Sequence, residues 1–162
     1  MTQTREELDD WYSTPDPWGF QTHPDDGERK RRILDAIKRP GPKYKRALDI
    51  GCGEGWITQD LPAAVIHGYE WSEVARSRIP APVVAVDEPS GKYDLILVSG
   101  ILYTQYDYRG VHELVEKHAG KGATVVTCHI KDLEQPLPAD PEMVDEFPYR
   151  EFTEILRRYR WQ

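Results

Sequence analysis

Sulfur is scarce in this chain of 162 residues, which has two cysteines and two methionines. Cys52 and Cys128 are too few for a disulfide scaffold or a zinc site, and no metal site is expected. One lies in a glycine loop and the other in a strand-like run, a usage that suits a reduced compartment. Long apolar runs are missing too. The longest aliphatic stretch, Leu95-Ile96-Leu97-Val98, falls far short of the ~20 residues that cross a bilayer. The opening MTQTREELDDW lacks a basic segment followed by an apolar one, so the expected address is cytoplasmic. Excess positive charge is absent: 21 Lys and Arg face 28 Asp and Glu, for a formal net charge of −7. That balance disfavours nucleic acid as a partner, because such binding rests on neutralising phosphates. The two basic clusters, Arg29-Lys30-Arg31-Arg32 and Arg157-Arg158-Tyr159-Arg160, read as solvated helix faces.

What is present is an alternation of short apolar strands and amphipathic helices within one domain spanning 1–162. Residues 1–26 are polar, aromatic and broken by proline, which predicts an irregular arm with at most one helical turn. A helix follows over 28–39, with Ile33, Leu34 and Ile37 on one face and Pro40-Gly41-Pro42 as its stop. The first 42 residues thus form an arm and a helix, 43–130 a core, and 131–162 a proline-rich connection with a last helix. Strands are predicted at 46–50, 65–70, 82–87, 93–99 and 123–129. Helices are predicted at 56–61, 72–78, 108–119 (with Gly120 as its cap) and 149–159. Strands apolar on both faces, YDLILVS above all, imply a mostly parallel sheet between helical layers, an α/β three-layer sandwich of Rossmann-like type. Ligands of such sheets bind beyond the carboxyl ends of the strands.

One such end carries ALDIGCGEGW, residues 47–56. Gly51, Gly53 and Gly55 permit positive φ angles and let a ligand approach the main chain. A helix after the loop would offer free N–H groups and a positive dipole end. The spacing is G-x-G-x-G, not the G-x-G-x-x-G of dinucleotide sites, so a nicotinamide-dependent oxidoreductase is the least favoured class. Two carboxylates accompany the loop: Asp49 in front of it, and Glu70 at the end of the next strand, 19 positions after Gly51.

With those carboxylates, LDIGCGEG resembles the first motif, [D/E]-x-G-x-G-x-G, of the class I S-adenosylmethionine-dependent methyltransferases. The resemblance spans roughly residues 44–130 and takes in YDLILVSGILYT and VEKHAGKGATVVTCH. It implies methyl transfer from S-adenosyl-L-methionine, with S-adenosyl-L-homocysteine as product. It also implies cofactor contacts from Asp49, Gly51, Cys52, Gly53 and Gly55, and from Glu70 and Trp71. Asp87 (or Glu88 beside it), Ser99 and Trp18 of the arm complete that set. Glu70 falls where the family grips the ribose hydroxyls; a carboxylate can accept both hydrogens of a vicinal diol. A surface carboxylate at a strand end is the plainer alternative.

The segment DPWGFQTHPDDGERKRRILDAI is similar to that of the nodulation-protein-S-like branch, which methylates a sugar amine. The resemblance implies a small polar acceptor, N- or O-, with an amine favoured. Gly27 and Gly100 depart from the branch's pattern, which has an aromatic and an acidic residue there. Trp11, Tyr12, Trp18 and Phe20 either fold over the sheet ends as a lid or simply cover apolar surface. Tyr103, Tyr106 and Asp107 after the fourth strand, and His129 after the fifth, are the candidate acceptor-side groups. His129 is the foremost candidate base, with a structural role as its alternative. The family continues past its fifth helix into an antiparallel strand pair, whereas YREFTEILRRYRWQ resembles that helix itself. The expectation is a C-terminally trimmed fold whose fifth-strand edge is covered by the segment 133–148 or by a second subunit as a homodimer. Trimming and Gly100 also raise an alternative function, a non-catalytic cofactor-binding partner of another methyltransferase.

Overall fold

The computed structural model describes residues 2–38 and 43–162; the predicted stop at Pro40-Gly41-Pro42 lies outside them. Seven strands form one sheet: β1 (Tyr44–Ile50), β2 (Ala63–Tyr69), β3 (Val84–Val86), β4 (Tyr93–Ser99), β5 (Ala119–Ile130), β6 (Met143–Tyr149) and β7 (Phe152–Arg160). Their order is β3-β2-β1-β4-β5-β7-β6. The first five run parallel, and β7 pairs antiparallel with both β5 and β6. Four helices accompany them: α1 (Arg5–Trp11), α2 (Pro24–Lys38), α3 (Glu73–Arg76) and α4 (Tyr108–His118).

Strand alternation sorts the core into two layers. Leu95, Leu97, Val126 and Cys128 pack with Ile33, Ala36 and Ile37 of α2. Their neighbours Ile96, Val98 and Val125 face the other way, with Leu48, Ile50 and Val115 of α4. Ile33 and Ile37 are wholly buried, each worth about 1.5–3 kcal/mol relative to exposure. Val111 and Leu114 pack against the second layer, as their spacing predicts.

The C-terminal expectation is overturned. Residues 149–159 are not a helix: Phe152–Arg160 is β7, paired with β5 from Thr124 to Ile130 and with β6 from Met143 to Tyr149. The antiparallel pair is therefore present and the fold is not trimmed. The edge of β5 is occupied by β7, so neither a second subunit nor a loop is needed there. The proline-rich stretch divides: Leu137 packs in the α4 layer, and residues 143–149 become β6. The physical reason lies in long-range pairing. FTEILRRYR has a local helical spacing of apolar residues, but Leu156 and Tyr159 become buried only across the sheet.

Smaller departures follow the same logic. The helix predicted after the glycine loop is a single 3₁₀ turn, Thr58–Asp60. The arm holds seven helical residues, α1, whose Thr4 and Glu7 form a reciprocal capping box. Gly120 does not cap α4, because β5 starts directly at Ala119.

Candidate functional site

At the carboxyl end of β1 the chain turns through Gly51 (φ +73°) and Gly53 (φ +58°). A Cβ on Gly51 would come 2.8 Å from the Ile101 side chain, and one on Gly53 would come 2.9 Å from the Tyr12 hydroxyl. Four of the loop's N–H groups are engaged within the chain. The N–H groups of Gly51 and Cys52 donate to the Tyr69 carbonyl at 2.7 and 3.3 Å, and that of Gly55 to the Cys52 carbonyl at 3.0 Å. Gly53 N–H donates to Glu70 Oε1 at 2.9 Å. With these four N–H groups engaged and only a 3₁₀ turn behind it, the loop lacks the helix N-terminus of a phosphate cradle.

Glu70 bridges two segments, since Oε2 accepts from Ser72 N–H at 2.9 Å. Burial raises its pKa, against the lowering effect of these N–H groups. Asp49 accepts from the Thr58 hydroxyl at 2.6 Å, and burial pushes its pKa up to about 7. Cys52 places Sγ over Gly68, where a Cβ would lie 2.9 Å away; burial raises this thiol's pKa.

A cavity of about 680 Å³ opens above these residues. Asp49, Gly51, Cys52, Gly53, Glu70, Trp71, Ser99, Trp18, Tyr103 and Tyr106 all line it. Gly55, Asp87 and His129 do not. Gly55 packs on Ile79 and Pro80. Asp87 faces solvent, paired with Arg76 at 2.7 Å. His129 is wholly buried, with its ring edge-on to that of Tyr103 at 5.3 Å and Nδ1 at 3.6 Å from Glu134 Oε2. Burial lowers its pKa, which keeps the ring neutral. Tyr103 accepts from Ile130 N–H at 2.8 Å, and burial raises its pKa.

The arm crosses the cavity and is fastened at several points. Gln3 N–H donates to the Gln105 carbonyl at 2.8 Å, and Asp9 accepts from the Ser72 hydroxyl at 2.5 Å. Glu54 accepts from Asp16 N–H at 2.9 Å and pairs with Arg78, which also holds the Tyr12 carbonyl at 2.7 Å. Arg150, in the turn between β6 and β7, holds the Trp18 carbonyl at 2.7 Å and pairs with Asp26 at the same distance. Trp18 and Phe20 stack at 5.6 Å, and Tyr12 meets Trp18 edge-on at 5.2 Å.

Two wall residues escape sequence reasoning. Arg29, expected on a solvated face, is 6% exposed and donates from Nε to Glu154 Oε1 at 2.7 Å. It also donates from Nη2 to the Ser99 hydroxyl and, at 3.3 Å, to the Cys128 carbonyl. Glu154 stands at the start of β7, opposite Ile130 of β5. The pair is 125 positions apart in sequence, and no local pattern announces it.

The charges around the cavity are one-sided. Asp16, Asp49, Glu54, Glu70, Asp107 and Glu154 line it, against Arg29 as its single Lys or Arg among the described residues. Such a space suits a cationic ligand and repels a pyrophosphate. The same residues show no group of three side chains set to hold a metal ion, and no helix long and apolar enough to cross a membrane.

No family model and no curated protein matches the sequence. Solved structures do. N-methyltransferase NodS from Bradyrhizobium japonicum, in complex with S-adenosyl-L-homocysteine, superposes with a TM-score of 0.76 at 18% identity, over 96% of this chain and 97% of that one. Magnesium protoporphyrin IX methyltransferase from Synechocystis, with S-adenosylmethionine bound, gives 0.71 at 15% identity, over 99% and 98%. A putative methyltransferase from Pseudomonas syringae gives 0.60 at 19%, over 82% and 97%. Together with the strand order and the glycine turn, these likenesses establish the fold: this chain is built on the Rossmann-like sheet of the class I S-adenosylmethionine-dependent methyltransferases.

Proposed function

We propose that the protein transfers a methyl group from S-adenosyl-L-methionine to a small polar metabolite, an amine in preference to a hydroxyl. The observation that carries this reading is the acidic cavity beside the glycine turn, where the N–H groups of Gly51, Cys52, Gly53 and Gly55 are engaged within the chain. The sulfonium and amino groups of that cofactor are cations, which an acidic cavity suits. Glu70 fits the ribose: each oxygen accepts one N–H and retains a second lone pair for a hydroxyl. Asp49 and the glycine turn flank the same end, with Trp71 beside Glu70.

The cavity then divides along the sheet. The ends of β1 and β2 form the cofactor half, and the ends of β4 and β5 with the start of β7 form the acceptor half. When bound, the cofactor supplies a methyl group already activated by positive sulfur. The chain's work is to align the acceptor and exclude water. Tyr103, Tyr106 and Ser99 line the acceptor half, and the arm covers the opening. His129 is a packing residue behind Tyr103 in this reading, not a base.

The test is calorimetry with S-adenosyl-L-homocysteine and NAD, followed by labelled-methyl transfer to fractionated metabolite pools. Homocysteine-product binding in the micromolar range, no NAD binding, and label in a small amine are expected. NAD binding without product binding refutes the proposal. Product binding without turnover in any pool favours the non-catalytic partner instead, an idea that loses one of its motives now that the terminal strands are present.

A further inference from the structure

Glu154 is 2% exposed and forms part of the cavity wall in its acceptor half. Its two oxygens differ. Oε1 is held by Arg29, while Oε2 has no hydrogen-bond partner among the described residues. A buried carboxylate oxygen without a donor is costly. Arg29 does not serve Oε2, because its remaining contacts are to the Ser99 hydroxyl and the Cys128 carbonyl. Of the neighbouring hydroxyls, that of Tyr149 donates to Asp26 at 2.6 Å, and that of Tyr103 accepts from Ile130 N–H.

We infer that Glu154 Oε2 is the group that receives the acceptor, and that the acceptor is an ammonium. The inference rests on the methyltransferase reading and deepens it. On entry, an N–H of the ammonium donates to Oε2 and its proton passes to that oxygen, leaving a neutral amine and a carboxylic acid. The freed lone pair then forms the new C–N bond while the C–S bond breaks and its electron pair stays on sulfur. The positive charge moves from sulfonium to methylammonium, and Glu154 returns its proton to water when the product leaves. Burial raises the Glu154 pKa, which brings it closer to that of an amine. The charged groups that face it are Arg29 and Asp26 from α2 and Glu134 from the segment before β6. Arg150 pairs with Asp26, Arg157 with Glu134 and Arg29 with Glu154 Oε1, which leaves Oε2 as the Glu154 oxygen that no donor meets among the described residues. The surplus of carboxylates elsewhere in the cavity favours the same kind of guest.

Calorimetry on the protein saturated with S-adenosyl-L-homocysteine, titrated with benzylamine and with benzyl alcohol, tests this. The amine should bind at least tenfold more tightly than the alcohol. Glu154→Gln should abolish that preference while changing the homocysteine-product affinity by less than twofold. An equal response to both probes, no response to either, or a preference that survives the substitution overturns the inference. Should Glu154→Gln lose product binding through misfolding, Arg29→Met with Glu154→Gln leaves no unpaired buried charge and takes its place. If the unmutated protein fails to bind S-adenosyl-L-homocysteine, the methyltransferase reading falls first. If that binding holds and only the amine preference is missing, this inference alone is wrong.

Discussion

Replacing Glu70 separates two roles of one carboxylate. It bridges Gly53 N–H and Ser72 N–H, both at 2.9 Å, and so ties the glycine turn to the start of α3. Glu70→Ala orphans both donors. A hydrogen bond to a charged group is worth about 1.5–3 kcal/mol, but the carboxylate also carries a desolvation cost that its removal relieves. The net loss of stability is therefore on the order of 2–4 kcal/mol, a fall of roughly 5–15 °C in melting temperature for a domain of this size. Glu70→Gln keeps one oxygen for Gly53 and should lose roughly half as much. Ligand affinity is the second readout. If Glu70 also holds the ribose hydroxyls, Glu70→Ala weakens S-adenosyl-L-homocysteine binding by about 1–3 kcal/mol, roughly 5- to 150-fold. Thermal melts of the free protein and calorimetry of the complex read the two effects apart. Binding within twofold of the unmutated protein would refute the ribose assignment even if the melt falls. An unchanged melt would refute the bridge.

Two further outcomes follow from the geometry. Asp49 has a folded-state pKa raised from 3.8 to about 7, so its favourable neutral form is fully present below about pH 4 and lost as pH rises through 7. Asp49→Asn should therefore leave the free protein's stability unchanged at pH 4 and raise it by up to about 4 kcal/mol at pH 8, as read from denaturant midpoints; a gain independent of pH refutes the burial argument. Arg78→Ala together with Arg150→Ala removes the guanidinium contacts to the Tyr12 and Trp18 carbonyls. Chymotryptic cleavage after Trp11 or Tyr12 should then accelerate roughly 10- to 30-fold, two bonds of about 1 kcal/mol each. Unchanged cleavage means that the arm is held by its aromatic contacts alone.

The parallel half of the fold was legible because its strands are apolar on both faces and punctuated by glycine and proline. YDLILVS is β4 to the residue, and the predicted helix over 108–119 differs from α4 by one position. Glu70 and Asp49 were legible for the same reason: each sits a fixed step from a strand end. Glu54 carried no signal, since its partner, the arm, comes from elsewhere in the chain, and Cys52 entered only through the resemblance. The arm's aromatics were visible as a cluster, but their placement over the cavity depends on Arg78 and Arg150 from two other segments. His129 was well placed in sequence and lies behind Tyr103 in space, because side chains at a strand's end alternate between its two faces.

The sequence by itself determined the parallel sheet, the glycine turn and the carboxylates at its edges, since these rest on local spacing and strand periodicity. Only the tertiary structure decided the antiparallel β6–β7 pair, the burial of Arg29 and the partnerless oxygen of Glu154. FTEILRRYR satisfies a helical pattern as readily as an extended one, and what resolves it is seven paired positions against β5, from residues that precede it by 24 to 36 places. Pairings across such a separation leave no periodic trace in the chain, and they bring Glu154 and Tyr149 to the cavity wall.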